Sequence, residues 1–85
     1  MFDIIGGQYQ SYYYGTVGTL EEAKKMALEH DEYWDNWQGW HVPGIYRHED
    51  CEDVENFYGE GRAPGPFAEP VSVYDRDTET WIDME

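Results

Sequence analysis

Thr19-Leu20-Glu21-Glu22-Ala23-Lys24-Lys25-Met26-Ala27-Leu28-Glu29-His30 is the stretch that decides the fold. Its first four residues spell a capping box. The Thr19 hydroxyl can accept from the Glu22 backbone N–H, which has no partner inside the helix, and the Glu22 carboxylate can reach back. Glu21 and Glu22 also sit at the positive end of the helix dipole. Leu20, Ala23, Ala27 and His30 recur at helical spacing with Met26 beside them, so one face is offered to a sheet. The helix is expected to end at His30 or Asp31.

The flanking segments read as strands. Phe2-Asp3-Ile4-Ile5 is a short apolar strand, and Gly6-Gly7 after it permits a bulge or sharp twist without steric cost. Tyr12 to Val17 is rich in aromatic and β-branched residues, which favour strands. The two should pair as a hairpin turning near Gln10-Ser11. Residues 31–43 combine Tyr33, Trp34, Trp37 and Trp40 with the breakers Gly39 and Pro43, which predicts an irregular helical turn giving way to a loop. Ile45-Tyr46-Arg47 is a further short strand. Residues 48–60 are acidic, with Val54, Phe57 and Tyr58 as anchors to the core. Residues 59–70 hold Gly59, Gly61, Pro64, Gly65, Pro66 and Pro70 and read as a loop. Val71-Ser72-Val73-Tyr74 and Glu79-Thr80-Trp81-Ile82 flank Asp75-Arg76-Asp77-Thr78 as a C-terminal hairpin. The predicted architecture is α+β: an antiparallel sheet of about five strands in ββαβββ order, with one main helix packed on one face. A single compact domain over residues 1–85 follows.

Charge dominates the composition. Nineteen Asp and Glu stand against 5 Lys and Arg, a net charge of −14 on 85 residues. Acidity of this kind marks either a solvating tail or a folded domain that faces a positive partner. The 18% aromatic content, with 4 Trp and 8 Tyr, favours the folded domain, because disordered acidic segments have nothing to bury. Aliphatic residues are scarce, so the rings are expected to form much of the core. In so small a domain, dimerisation or partner binding can add stability.

Several function classes lose support. Phosphate contacts require Lys and Arg, so direct nucleic-acid binding is disfavoured. An anionic membrane would repel the chain. Met1-Phe2-Asp3-Ile4-Ile5-Gly6-Gly7 has no basic n-region, and a lone Cys51 permits no internal disulfide, so a reducing cytoplasm is the expected compartment. His48 and Cys51 form one mixed pair, with His41 and His30 upstream, where structural zinc normally takes two close pairs. Asp75-Arg76-Asp77-Thr78-Glu79 imitates the start of a calcium loop but has Thr80 where the sixth-position Gly should stand. No metal and no cofactor are expected. Cys51 lies among Glu49, Asp50, Glu52 and Asp53, whose charges suppress a thiolate. Ser11 and Ser72 lie in no nucleophile elbow. An enzyme is not expected.

The acids are the candidate binding residues. They fall into three groups: Asp31, Glu32 and Asp35 after the helix, with Glu29 before them; Glu49, Asp50, Glu52, Asp53 and Glu55; and Asp75, Asp77 and Glu79, with Asp83 and Glu85 following. Carboxylates at i and i+2 on a strand lie roughly 6.6 Å apart, so a folded acidic surface can present a phosphate-like line of charge. Tyr33, Trp34, Trp37 and Trp40 form an alternative site, a stacking platform for a sugar or a hot spot for a protein.

A very small, acidic, aromatic-rich α+β chain with one cysteine resembles the DNA-mimicking inhibitors of phages and mobile elements, including anti-CRISPR and anti-restriction proteins. The resemblance is one of size and composition over the whole chain. It involves no shared motif and therefore transfers no residue. It implies a non-enzymatic inhibitor acting in the host cytoplasm. The implied partner is a basic protein surface, that of a nuclease or Cas effector that binds nucleic acid.

Overall fold

The computed structural model describes residues 1–7, 12–34, 36–37, 39–56 and 59–84. Its single described α-helix, α1 (Leu20–Glu29), starts where the capping box places it, with the Glu22 N–H donating to Thr19 Oγ1 at 3.1 Å. The return bond differs from the expected one. Thr19 Oγ1 donates to Glu22 Oε1 at 3.2 Å, so the two side chains close on each other. His30 caps the C-terminal end, its N–H bonded to the Ala27 carbonyl.

Strands β1 (Phe2–Gly6) and β2 (Tyr12–Val17) pair antiparallel, with Asp3 opposite Thr16 and Ile4 opposite Gly15. The register then shifts so that Ile5 faces Tyr13, which leaves Tyr14 as an extra residue on β2. The bulge thus falls at Tyr14 and not at Gly6-Gly7. A reason is visible in what Tyr14 touches: its ring stacks on His30 at 4.5 Å and its hydroxyl donates to Glu32. The turn near Gln10-Ser11 lies outside the described residues.

After the helix come β3 (Glu32–Tyr33) and β4 (Trp40–His41), a two-residue ladder in place of the expected helical turn. Pairing of Tyr33 with Trp40 brings their rings edge to face at 5.7 Å, which favours the extended pair. Strand β5 (Gly44–Arg47) then pairs with the other side of β1, and a 3-10 turn spans His48–Asp50. Strands β6 (Cys51–Asn56) and β7 (Gly59–Pro64) form a hairpin in full register from Cys51 opposite Pro64 to Asn56 opposite Gly59. This corrects the expected loop over 59–70, whose first half is strand. Phe57 and Tyr58, expected as anchors, lie outside the described residues; Val54 is half-buried. Strands β8 (Ser72–Asp75) and β9 (Thr80–Asp83) make the C-terminal hairpin and join β5 where Ile45 faces Ser72. The main sheet is antiparallel in the order β2-β1-β5-β8-β9, with α1 on one face.

Ile4, Ile45 and Val71 from the sheet meet Ala23 and Ala27 from α1 in the buried centre. A fully buried Ile contributes about 1.5–3 kcal/mol. The expectation of a largely aromatic core is overturned: among the described residues no Phe, Tyr or Trp is fully buried. The helix meets the sheet through the small side chains of Ala23 and Ala27, and β2 approaches it closely at Gly15. A Cβ on Gly15 would already stand 3.1 Å from Met26 Sδ. Phe2, Tyr14 and Trp81 pack around the rim of this centre instead.

Candidate protein-binding surface

Side chains alternate across a strand. With Ile4 facing the helix, Asp3 must face the other way, and there it is completely buried. An ionised carboxylate survives burial only when its oxygens are satisfied. Asp3 Oδ1 accepts from Thr16 Oγ1 at 2.6 Å and from His48 Nδ1 at 2.7 Å, and Oδ2 accepts from Arg62 Nε at 2.7 Å. The Tyr13 hydroxyl in turn hydrogen-bonds Thr16 Oγ1. Burial pushes the Asp3 carboxyl up, but the bonds from Thr16, His48 and Arg62 outweigh it and hold the group below the usual aspartate range.

Arg62 is what the hairpin delivers. Besides Asp3, its guanidinium donates to Asp53 Oδ1 at 2.6 Å and to the carbonyls of His48 and Cys51 at 2.8 and 2.9 Å. One side chain thus ties β7 to β1, to β6 and to the 3-10 turn. Beside it, β7 lies so close to β2 that a Cβ on Gly61 would stand 3.3 Å from the Tyr13 Cβ. Burial, together with the Asp3 charge, pushes the Cys51 thiol up to about 12, so at neutral pH it is protonated.

The hub fixes one acidic group and leaves it outward. Five of the seven residues 49–55 are Asp or Glu, and Glu49, Asp50, Glu52, Asp53 and Glu55 are all exposed. Asp53 is partly neutralised by Arg62 although its side chain is 88% exposed. The other two groups are engaged more deeply. Asp31 Oδ2 accepts from Arg76, and Glu32 accepts from the Tyr14 hydroxyl at 2.5 Å and from Trp34 Nε1 at 3.1 Å. Asp35 lies outside the described residues. Asp75 Oδ1 accepts from the Asp77 N–H at 2.9 Å and closes the β8–β9 turn, with Asp77 and Glu79 exposed beside it. Asp83 accepts from Ser72 Oγ and pairs with Lys24 at 3.1 Å. The three groups are therefore not equivalent: Asp31, Glu32 and Asp75 are structural, and residues 49–55 carry the dense exposed charge.

No protein-family model, curated protein or solved structure matches the chain. The surface has to be read from its own chemistry. Of the four aromatic candidates, Tyr33 and Trp40 lie opposite each other in the β3–β4 ladder, their rings edge to face. Trp34 is half-buried and stacks on His41 at 4.3 Å, whereas Tyr33, Trp37 and Trp40 are exposed, Trp37 to 96%. Trp40 and His41 border an open groove of about 570 Å³ whose far side is Tyr74, Arg76, Asp77 and Ile82. Among the described residues no three His, Cys, Asp or Glu converge as a ligand set, and no helix is long and apolar enough to cross a membrane.

The residues that sequence reasoning missed are Asp3, Thr16, His48 and Arg62. A signal for them existed. Asp3 is an acid inside an apolar strand, and such an acid needs a cation from elsewhere. Only Lys24, Lys25, Arg47, Arg62 and Arg76 were available to supply it.

Proposed function

We propose that this protein is a non-enzymatic inhibitor that occupies the nucleic-acid-binding surface of a basic protein, with a CRISPR–Cas effector as the target class. The observation that carries the reading is the ribbon at residues 49–55, where Glu49 and Asp50 on the 3-10 turn and Glu52, Asp53 and Glu55 on β6 are five exposed carboxylates, with turn and strand both tied by Arg62. Duplex DNA carries roughly one charge per 1.7 Å of axis. Strand carboxylates at i and i+2, roughly 6.6 Å apart, are sparser but fixed in place. Fixed charges attract Arg and Lys without the entropy loss that flexible acids suffer on binding. Association through such a patch is fast and weakens with salt.

The test is a fourfold neutralisation, Glu49→Gln, Asp50→Asn, Glu52→Gln and Glu55→Gln, which spares Asp53 because it belongs to the hub. DNA cleavage by a panel of CRISPR–Cas effectors and restriction nucleases is measured with each form at low and high salt. Inhibition by the native chain at low salt, lost in the variant at unchanged thermal midpoint, is the expected result. A variant that inhibits as well as the native chain sinks the reading. The exposure of Tyr33, Trp37 and Trp40 favours a second reading, an adaptor that binds protein or carbohydrate through rings. On that reading binding persists at high salt and disappears in Trp40→Ala.

A further inference from the structure

Strand β9 ends the main sheet and pairs with β8 alone. In an antiparallel ladder, successive residues turn their N–H and C=O groups alternately towards the neighbouring strand and away from it. The Met84 N–H donates to the Val71 carbonyl at 2.8 Å. Counting back along the strand, Ile82 also turns towards β8, so the backbone groups of Trp81 and Asp83 point out of the sheet. Among the described residues no strand takes them up. An open edge of this kind is a template for another extended chain.

The common means of blunting an edge are missing here. Residues 80–84 hold no Pro, Lys or Arg, and the ladder to β8 runs without a bulge. Side chains alternate across the strand. Ile82 and Met84, 47% and 57% exposed, fall on one face, and Trp81 and Asp83 on the other. What guards the edge is charge. Asp77, Glu79, Asp83 and Glu85 lie in or beside β9, with no Lys or Arg between residues 77 and 85. A second copy would set this acidic strand against itself in a chain that already carries −14, and like charges facing each other across strands are destabilising. A strand bearing Lys or Arg meets attraction instead.

We propose that β9 is a docking edge for an extended, Lys- or Arg-bearing segment of a partner protein, which adds a strand to the main sheet. Main-chain bonds to Trp81 and Asp83 supply affinity, Ile82 and Met84 meet its apolar side chains, and the acids select its basic ones. This edge lies at the end of the sheet opposite β2, whereas β7, the hairpin partner of the acidic ribbon, packs on β1 and β2. The inference therefore goes beyond the ribbon reading and does not depend on it.

The probe is a short peptide alternating Lys and Val. One control is the same peptide N-methylated at two adjacent central residues, which removes donors from both of its edges. The other carries Glu in place of Lys. Amide hydrogen exchange of the full chain is followed by NMR. The Lys/Val peptide should slow exchange at Trp81 and Asp83 about tenfold or more, with little change at Ile82, which already turns to β8. Absence of that protection, or its reproduction by either control peptide, overturns the proposal. An effect confined to the residue 49–55 amides also overturns it and leaves the ribbon reading standing. Protection that grows with protein concentration in the absence of peptide would assign the edge to a second copy and overturn the basic partner.

Discussion

Arg62 Nε donates to Asp3 Oδ2 at 2.7 Å, joining the first strand to the second-last hairpin. The same guanidinium makes three further bonds. A strand low in β-propensity is thereby fixed by charge.

Asp3→Asn should be severely destabilising. It leaves the guanidinium without its buried counter-charge, and breaking a buried pair costs about 3–5 kcal/mol. Against a typical total of about 5–15 kcal/mol, that removes between about a fifth and all of the stability. Urea denaturation followed by far-ultraviolet circular dichroism gives the answer, and a loss under about 1 kcal/mol would mean that the pair is a surface-like contact. Arg62→Lys keeps the charge but cannot reproduce the fork that reaches two carboxylates and two carbonyls at once. It should fall between the native chain and Asp3→Asn.

Acid should weaken the native chain through Asp3. Its folded carboxyl is held below the ordinary value by Thr16, His48 and Arg62 in spite of burial, so the stabilisation is fully present above the unfolded pKa, about 3.9. It is lost as pH falls through that value towards the lowered one. Asp83, held down by Ser72 and Lys24, acts in the same direction. The urea midpoint of the native chain is expected to drop on acidification below about pH 4, and that of Asp3→Asn to drop less. Parallel curves would remove Asp3 from the account.

Cys51 should be inert while the chain is folded. With the thiol pushed up to about 12, first by burial and then by the Asp3 carboxylate, little thiolate exists at neutral pH. Labelling by iodoacetamide is expected to be at least about tenfold slower than in the urea-unfolded chain. Equal rates in the two states would contradict the half-buried placement beside Asp3.

Two glycine substitutions should have opposite signs. Gly65→Ala forces a Cβ to within 2.9 Å of the Asp50 carbonyl oxygen, an overpacking expected to cost about 1–3 kcal/mol. Gly18→Ala meets nothing within 4 Å and sits at negative φ. It should stabilise by about 0.4–1 kcal/mol through the unfolded state. Thermal midpoints of the two variants settle both signs.

Thr19→Ala removes the cap that receives the Glu22 N–H and should cost about 0.5–2 kcal/mol. Thr19→Ser, which restores the hydroxyl, is expected to recover most of the loss. A helix indifferent to both changes would be held by its Ala23 and Ala27 packing alone.

The elements legible in the chain are those specified locally. Thr19 to Glu22 announce the helix, Tyr12 to Val17 and the C-terminal pair announce strands, and the five-stranded sheet with one helix follows from them. Strand β7 was not legible, because Gly59, Gly61 and Pro64 argue for a loop. Its extended form comes from the ladder to β6 and from the bonds of Arg62, both distant in sequence. The aromatic count does not reveal that the centre is aliphatic: Ala23 and Ala27 meet Ile4, Ile45 and Val71 there, and the rings of Phe2, Tyr14 and Trp81 pack against its edge. Among the acids, residue spacing identified 49–55 as a cluster but could not tell which carboxylates the few cations would engage. Arg76 took Asp31, Lys24 took Asp83, and Arg62 took Asp3 and Asp53.

The Asp3–Arg62 bond also sets when the protein can be finished. During synthesis Asp3 leaves the ribosome first, and its guanidinium follows only after β2, α1, β5 and β6 have emerged. Local pieces such as α1 can form early, but until β7 arrives the buried Asp3 has only Thr16 and His48 as side-chain partners, and its Oδ2 lacks the Arg62 bond. The tie between β1 and β7 can therefore form only once Arg62 has been made. A chain that stops short of Arg62 leaves the buried Asp3 without its guanidinium and is expected to be the more readily proteolysed form.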